Sequence, residues 1–342
     1  MHLIALTSGP DTPSTRFRVA AYSDVVRAAG HTIELRHAWP PLYTHSRWLG
    51  WRLSVRTRRL KRRWDLRGLQ RADAVLIERQ LFDADQTDIE REVRRLAARL
   101  VYDVDDAIHR QRPAKFATLW GHADCVIAGN DWLAEAVREH CGDVVTIPTS
   151  VDTKRFRPVE RTAKRPGERL RIGWTGTSSN LPQLAAIGGA IESLGSQVEL
   201  EVISDANPDA WAALRDWAVP VTTTRWTRAE ELAALSRFDI GVMPLADTEW
   251  NRGKCGFKLI QYLATGLPAI ASPLPVNAAI AGGGAALLAD SADEWTDALR
   301  RLVGDATLRA ELSDRGPRRV AESYSIASQS GRWMAAVFGD GL

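Results

Sequence analysis

Short apolar runs alternate with amphipathic stretches along nearly the whole chain, the pattern of parallel strands joined by crossover helices. In the first half, His2–Thr7, Thr32–Arg36, Asp73–Glu78, Arg99–Asp103, Asp124–Ala128 and Val144–Pro148 predict strands. Helices are expected between them, for example over Arg16–Ala29, closed by Gly30, and over Asp88–Ala98. From Ser150 to Arg169 the chain turns polar and rich in Arg, Lys and Pro, with Pro158, Pro166 and Gly167 as breakers, and reads as a linker. The alternation then restarts. Strands are expected at Leu170–Trp174, Val198–Ser204, Phe238–Pro244, Pro268–Ser272 and Ala285–Ala289, with helices near Pro182–Leu194, Pro208–Trp217, Arg228–Ser236 and Lys254–Ala264. The tail, Asp293–Val303, Ala306–Ala321 and Ser325–Phe338, reads as consecutive helices without a strand. The expected fold class is α/β, with two doubly wound Rossmann-like domains over residues 1–157 and 168–322. The carboxyl ends of both sheets are expected to face one cleft, where ligands of open α/β sheets bind.

A length of 342 residues suits two such domains, and 45% hydrophobic with 25% charged residues excludes a disordered or collagen-like chain. The net charge of +3 hides a local excess, because Arg47–Arg71 is crowded with Arg and Lys. Cys125, Cys141 and Cys255 are odd in number and lack metal-ligand spacing, which argues against a disulfide framework or a zinc site and fits a reducing cytoplasm. The first residues read as a strand rather than a leader. No run approaches the ~20 apolar residues of a membrane-spanning helix, so membrane contact is expected to be peripheral.

Chemistry is expected at the strand ends. Residues 171–182 read as a strand, a turn carrying Gly173 and Gly176, and a helix start. Small residues there let a ligand approach the backbone, and free N–H groups suit a phosphate; an ordinary capped turn is the plain alternative. The segment Asn251–Pro268 is more specific. If helical from Lys254, it puts Lys254, Lys258 and Gln261 on one face and Phe257, Ile260 and Ala264 on its apolar neighbour. Two such lysines with backbone N–H groups suit the charge of a departing diphosphate without a metal. In the first half, Gly9 follows the first strand, Arg16 and Arg18 open the next helix, and Asp103, Asp105, Asp106 and His109 gather after the fourth strand. These carboxylates suit a helix cap, an acceptor hydroxyl or a divalent metal. Arg52, Arg56, Arg59 and Arg63 recur at helical spacing beside an apolar stripe of Leu49, Leu53, Leu60 and Trp64. That pattern suits an anionic membrane or a soluble helix with a docked apolar side; no nucleic-acid motif accompanies it.

Residues Ile147-Pro148-Thr149-Ser150-Val151-Asp152, continued by Phe156 and Pro158, resemble the interdomain signature Ile-Pro-Asn-Gly-Val-Asp-x-x-x-Phe-x-Pro of GT-B glycosyltransferases of family 4, with Thr149-Ser150 in place of Asn-Gly. The run Gly173–Thr177, the Phe238–Pro244 strand, the Lys254–Pro268 segment and the Tyr324–Phe338 helix follow in that family's order and spacing, so the resemblance covers essentially the whole chain. It implies the GT-B fold, a nucleotide-diphospho-sugar held mainly by the second domain, an acceptor in the first, and a terminal helix, residues 323–342, crossing back to the first. It also implies metal-independent transfer with retention of anomeric configuration. Where such enzymes carry two glutamates separated by seven residues, this chain has Gly253 and Gln261, with Glu249 a candidate substitute just upstream. The family's histidine after strand four corresponds to His109, or is replaced by Asp105 and Asp106. The Asp-x-Asp-Asp strand end with Gly-Lys-Cys-Gly-Phe-Lys resembles one subset of the family.

Motifs and resemblance together give a catalytic set of Lys254, Lys258, Asp105 and His109. The substrate-binding set is Gly9, Arg16, Asp106, Gly176, Thr177, Ser178, Glu249, Arg252, Gly253, Cys255, Gly256, Phe257 and Gln261. No cofactor or metal is expected. The expected partners are a nucleotide-sugar donor, a carbohydrate, lipid-linked or small-molecule acceptor and, through Arg47–Arg71, an anionic inner membrane face, but not nucleic acid. A silent sugar-nucleotide-binding subunit and a nucleotide-sugar epimerase or hydrolase are the alternatives.

Overall fold

Strands β1 (His2–Thr7), β2 (Thr32–His37), β3 (Ala74–Glu78), β4 (Leu100–Val104), β5 (Cys125–Ala128) and β6 (Val144–Thr146) pair in parallel in the order β2-β1-β3-β4-β5-β6. The computed structural model describes residues 1–42, 50–161, 165, 167–205, 207, 211–212 and 214–339. Because crossover helices cover both faces of a parallel sheet, its inner strands are apolar on both sides. Leu3, Ala5, Leu76 and Val101 point to one face, and Ile4, Leu6, Val75, Ile77 and Tyr102 to the other. The second face meets the helices Asp88–Leu96, Pro113–Gly121 and Asp131–Arg138 through Val93, Phe116, Leu119 and Leu133. The first face meets Val19, Tyr22 and Val26, together with Trp333, Met334 and Val337 of the helix Ile326–Phe338. Tyr22 and Trp333 stack at 4.6 Å, and Trp333 Nε1 donates to the Arg18 carbonyl at 3.2 Å. This unit comprises Met1–Ser150, Arg252–Cys255 and Ile326–Leu342.

Two helices here differ from the sequence pattern. The span Arg16–Ala29 is a π turn at Thr15–Val19, a 3-10 turn at Ala20–Tyr22 and an α-helix at Ser23–Ala28. Its opening turn is held by side chains reaching the strand ends, Thr15 to Glu78 and Arg18 to Asp103, rather than by regular helical spacing. The basic helix forms as expected, over Gly50–Asp65, but its polar side faces inward: Ser54, Arg58, Arg62 and Asp65 are buried while Leu53, Leu60 and Trp64 are exposed. Leu49 and the start of the basic stretch at Arg47 lie outside the described residues.

The second unit, Val151–Asn251 with Gly256–Ser325, repeats the architecture. Strands β7 (Leu170–Thr175), β8 (Val198–Ser204), β9 (Val221–Arg225), β10 (Ile240–Met243), β11 (Ala269–Ala271) and β12 (Leu287–Leu288) form a parallel sheet in the order β12-β11-β10-β7-β8-β9. Strand β9 has no apolar run to reveal it; three threonines with β-branched side chains suit an edge strand instead. The expected Pro182–Leu194 helix divides into Leu181–Ala185 and Gly188–Glu192, where Gly188 and Gly189 weaken helix formation. Of the expected helix at Pro208–Trp217, residues 208–210 and 213 lie outside the described residues, as does Pro166 of the linker; 211–212 are helical and 214–216 form a turn. Within that linker Arg161 donates to the carbonyls of Leu235, Phe238, Thr265 and Gly266 at 2.9–3.0 Å, fixing the chain to this unit. The tail helices Ala292–Gly304 and Ala306–Ser323 start at side-chain caps, Ser291 with a Glu294 capping box and then Asp305.

Candidate functional site

At the carboxyl end of β7 the turn is already filled by the protein. A Cβ on Gly173 would collide with the Phe238 ring, and one on Gly176 would lie 2.6 Å from the Trp174 indole and 3.0 Å from Lys258 Cε. These glycines therefore admit aromatic rings and a lysine stem, where the sequence pattern suggested room for a ligand. The turn's amides are also engaged: Gly176 N–H donates to the Ile203 carbonyl at 3.0 Å, and Ser178 donates from N and Oγ to the Asp205 carboxylate at 2.5 and 2.8 Å. Burial alone would raise the Asp205 pKa; the Ser178 bonds outweigh it and hold it below the ordinary value. Thr177 Oγ1 pairs with Ser179 and accepts from Asn180. The helix start expected to cradle a phosphate is thus capped by a carboxylate of its own chain.

What the turn does position is Lys258. Its ammonium sits 5.7 Å from the centre of the buried Trp174 ring, a cation–π arrangement that fixes a flexible side chain. Lys258 lies in the first turn of the helix Phe257–Ala264, which Gly256 opens in a left-handed conformation with φ of 63°. Gly256 at the N-cap has no side chain of its own to cap the helix, and the first turn that carries Lys258 is the positive end of the helix dipole. A Cβ on Gly256 would collide with Ile280, so glycine is required there for space as well as conformation. Phe257 is half-buried, and Gln261 is buried with an unpartnered Nε2. Glu249 and Arg252 bound a short exposed helix, Glu249–Arg252.

The left-handed Gly256 also corrects the expected three-residue face. The helix begins at Phe257, not at Lys254, so only Lys258 and Gln261 share it. Residues Arg252–Cys255 belong with the first unit. Asn130 anchors them, donating from Nδ2 to the carbonyls of Arg252 and Lys254 at 3.1 and 2.9 Å while its Oδ1 caps the helix Asp131–Arg138. A Cβ on Gly253 would meet Ala107 N at 2.7 Å and Ala107 Cα at 2.9 Å, so no side chain fits at the position where the family resemblance puts a glutamate. Cys255 is packed against Gly129, with its thiol directed at the Asp105 carbonyl and its pKa pushed up by burial to about 12. It is an inert packing residue in this setting.

The end of β4 carries the carboxylates, each with a guanidinium. Arg18 donates to both oxygens of Asp103 at 2.9 Å. Burial lifts Asp103 to about 6, with Arg18 offsetting only part of that rise. Arg79, left-handed at φ 56°, pairs with Asp105 and lies 3.6 Å from Asp106, while Ser14 donates to Asp105 at 2.7 Å. A non-glycine residue in that conformation costs roughly 1–2 kcal/mol, and the two ion pairs hold it there. Burial would raise Asp105, but Arg79 outweighs it and keeps the acid below its ordinary value. Asp106 is pushed up by burial against the opposing pull of Arg79 and Lys254, and accepts from the Ala107 N–H at 3.0 Å. Arg79, Asn130 and Asp205 belong to no motif, and Trp174 lies inside the Gly173–Thr177 run with nothing local to mark it as the partner of Lys258.

The other expected residues fall elsewhere. His109 is buried with Trp120 and Trp132, ring centres at 5.3 and 5.5 Å. Arg16 is buried, its guanidinium 4.7 Å from the centre of the Phe17 ring. A Cβ on Gly9 would lie 2.8 Å from Pro41 Cβ. Among the described residues no three or more His, Cys, Asp or Glu gather as metal ligands, and no helix is long and apolar enough to cross a membrane.

Residues 171–305 match the family model described as Glycosyl transferases group 1. No curated protein matches the chain. Among solved structures, sucrose-phosphate synthase from Thermosynechococcus elongatus aligns at a TM-score of 0.74 with 15% identity over 99% of both chains. HepE of Anabaena in complex with UDP-glucose aligns at 0.70 with 11% identity, over 97% of this chain and 98% of that one. An α-glucosyltransferase in complex with UDP and a 13-mer DNA aligns at 0.70 with 11% identity over 98% of each chain. At such identities the likeness is one of fold, two Rossmann-like domains of the GT-B type. Residues 171–305 are therefore a glycosyl transferases group 1 domain within a GT-B chain.

Proposed function

We propose that this protein is a glycosyltransferase that moves a sugar from a nucleoside-diphosphate sugar to an acceptor hydroxyl, without a metal and with retention of anomeric configuration. The observation that carries the reading is Lys258, held over Trp174 in the first turn of the Phe257–Ala264 helix, inside the matched domain. An ammonium beside oriented backbone donors suits a diphosphate whose negative charge grows as the bond to the sugar breaks. Structural relatives solved with UDP and UDP-glucose support this donor class. In the proposed step the acceptor oxygen bonds to the anomeric carbon on the face the diphosphate leaves, and the hydroxyl proton passes to a phosphate oxygen. Lys258 and the helix start bind the diphosphate, and Gln261 and Glu249 are the candidate contacts to ribose and sugar. In the first unit Asp106, with Lys254, orients the acceptor hydroxyl. The guanidinium partners of Asp103 and Asp105 support a reaction without a cation, since these acids already have their counter-ions.

Calorimetry with UDP-, GDP- and ADP-glucose tests the reading. At least one is expected to bind, more weakly after Lys258→Ala, and the anomeric coupling of the product by NMR, in buffer with excess chelator, tests retention and metal independence. Failure of every nucleotide sugar to bind removes it. The closed Gly253 position favours one second reading, a binding subunit without turnover; donor that binds yet stays intact with a panel of acceptors identifies that case.

A further inference from the structure

The helix Gly50–Asp65 is built opposite to a docked amphipathic helix. Its inner side is tied to main-chain carbonyls by guanidinium groups, Arg58 to Pro40 and Pro41 at 3.0 and 2.9 Å, and Arg62 to Thr7 and Arg36 at 2.6 and 2.9 Å. Lys61 and Arg62 both pair with the buried Asp65. Arginines fully inside are costly unless satisfied, and here they serve to turn the apolar residues outward. Leu53, Leu60 and Trp64 are 51%, 67% and 61% exposed, and their spacing of i, i+7 and i+11 lines them in one row along the helix. Arg52, Arg56 and Arg63 form the adjoining exposed row; Arg59 lies in it too, paired with Asp88. Trp51, 60% exposed, stands at the amino end, and Trp39, 57% exposed, with Trp64 lines a groove of about 800 Å³ that also receives Lys61 and Arg67.

We propose that this outer face docks the protein onto an anionic phospholipid bilayer. An apolar row of two leucines and an indole beside a basic row matches a helix lying in the plane of the interface, its apolar side chains entering the headgroup–acyl boundary and its arginines meeting lipid phosphates. Exposed leucines in line have no counterpart on a nucleic acid, where the same arginines would suit the backbone. A folded protein partner supplies no reason for the arginine excess, whereas a phosphate-rich surface matches it in charge. The docking is independent of the transfer reaction.

The test is co-sedimentation of the full chain with vesicles of phosphatidylcholine alone and of phosphatidylcholine with phosphatidylglycerol. Binding is expected to be at least about tenfold tighter to the anionic vesicles and to weaken as salt shortens the screening length. Arg52→Gln with Arg56→Gln lowers it by about fivefold per arginine. Leu60→Ser with Trp64→Ser lowers it by about tenfold or more while nucleotide binding and melting temperature are retained. Bromine-labelled acyl chains quench tryptophan emission of the wild type more than that of Trp64→Phe. Equal binding to neutral and anionic vesicles overturns the proposal. So does a loss confined to the arginine variants, with duplex DNA bound as tightly as lipid, which identifies a polyanion site instead.

Discussion

Lys254 and Lys258, four residues apart, look like one pair in the sequence and occupy two different environments. Lys254 belongs to the first unit, its carbonyl held by Asn130 and its charge pulling on Asp106. Lys258 belongs to the second, over an indole in the first turn of a helix that a left-handed glycine opens. The strand ends around them differ in the same way. At β4 the acids are closed by arginines of their own unit; at the Phe257–Ala264 helix a cation stands in the first turn, at the positive end of the dipole. A polar network that satisfies itself contributes mainly to stability, whereas a cation and backbone donors brought together in the first turn of a helix are suited to an anionic ligand.

Substitutions separate these roles. The largest effect is expected for Arg18→Ala, which strands the buried Asp103 carboxylate and lowers unfolding free energy by about 3–5 kcal/mol in urea titrations. Lys258→Ala is expected to leave the melting temperature nearly unchanged and to reduce kcat/KM by roughly 10²–10³-fold, about 3–4 kcal/mol. A stability loss as large as that of Arg18→Ala breaks the distinction. Arg79→Ala is expected to cost about 2–3 kcal/mol at neutral pH, less than breaking a fully buried pair because both partners keep some contact with solvent. Arg79 holds Asp105 below its ordinary value while burial alone would raise it, so that difference is largest at neutral pH, shrinks as pH falls through the carboxylate range and is lost below the folded wild-type value, which urea titrations across pH 3–7 measure. The smallest effect is expected for Gly253→Ala, about 1–2 kcal/mol from crowding the Ala107 backbone, with Gly253→Glu no more active than Gly253→Ala.

Much of the layout was legible because burial on both faces of a parallel sheet writes itself as apolar runs; His2–Thr7 and Val198–Ser204 match their strands residue for residue. Strand β9 escaped because its threonines carry no such run. The Lys254–Ala264 helix was placed too early because its periodicity is indifferent to handedness, and only the conformation of Gly256 shows where the spiral begins. Trp174 and Arg79 escaped for another reason. Their contribution comes from contacts to residues far along the chain, Lys258 for one and Asp105 for the other, and no local pattern encodes such a meeting. The basic helix was read correctly in spacing and left open in orientation, since the same stripe suits docking inward or outward until Arg58 and Arg62 are seen holding the inner side.

One sheet face of the first unit is covered by Trp333, Met334 and Val337, residues made long after the strands they cover. On a ribosome adding ~5–20 residues per second, Tyr22 and Val26 wait roughly 15–60 seconds, while the rest of the first unit and the second unit are synthesised, before their partners emerge. The unit translated first is therefore closed only after the second has been made, and until then one face of its sheet lacks the cover of the Ile326–Phe338 helix.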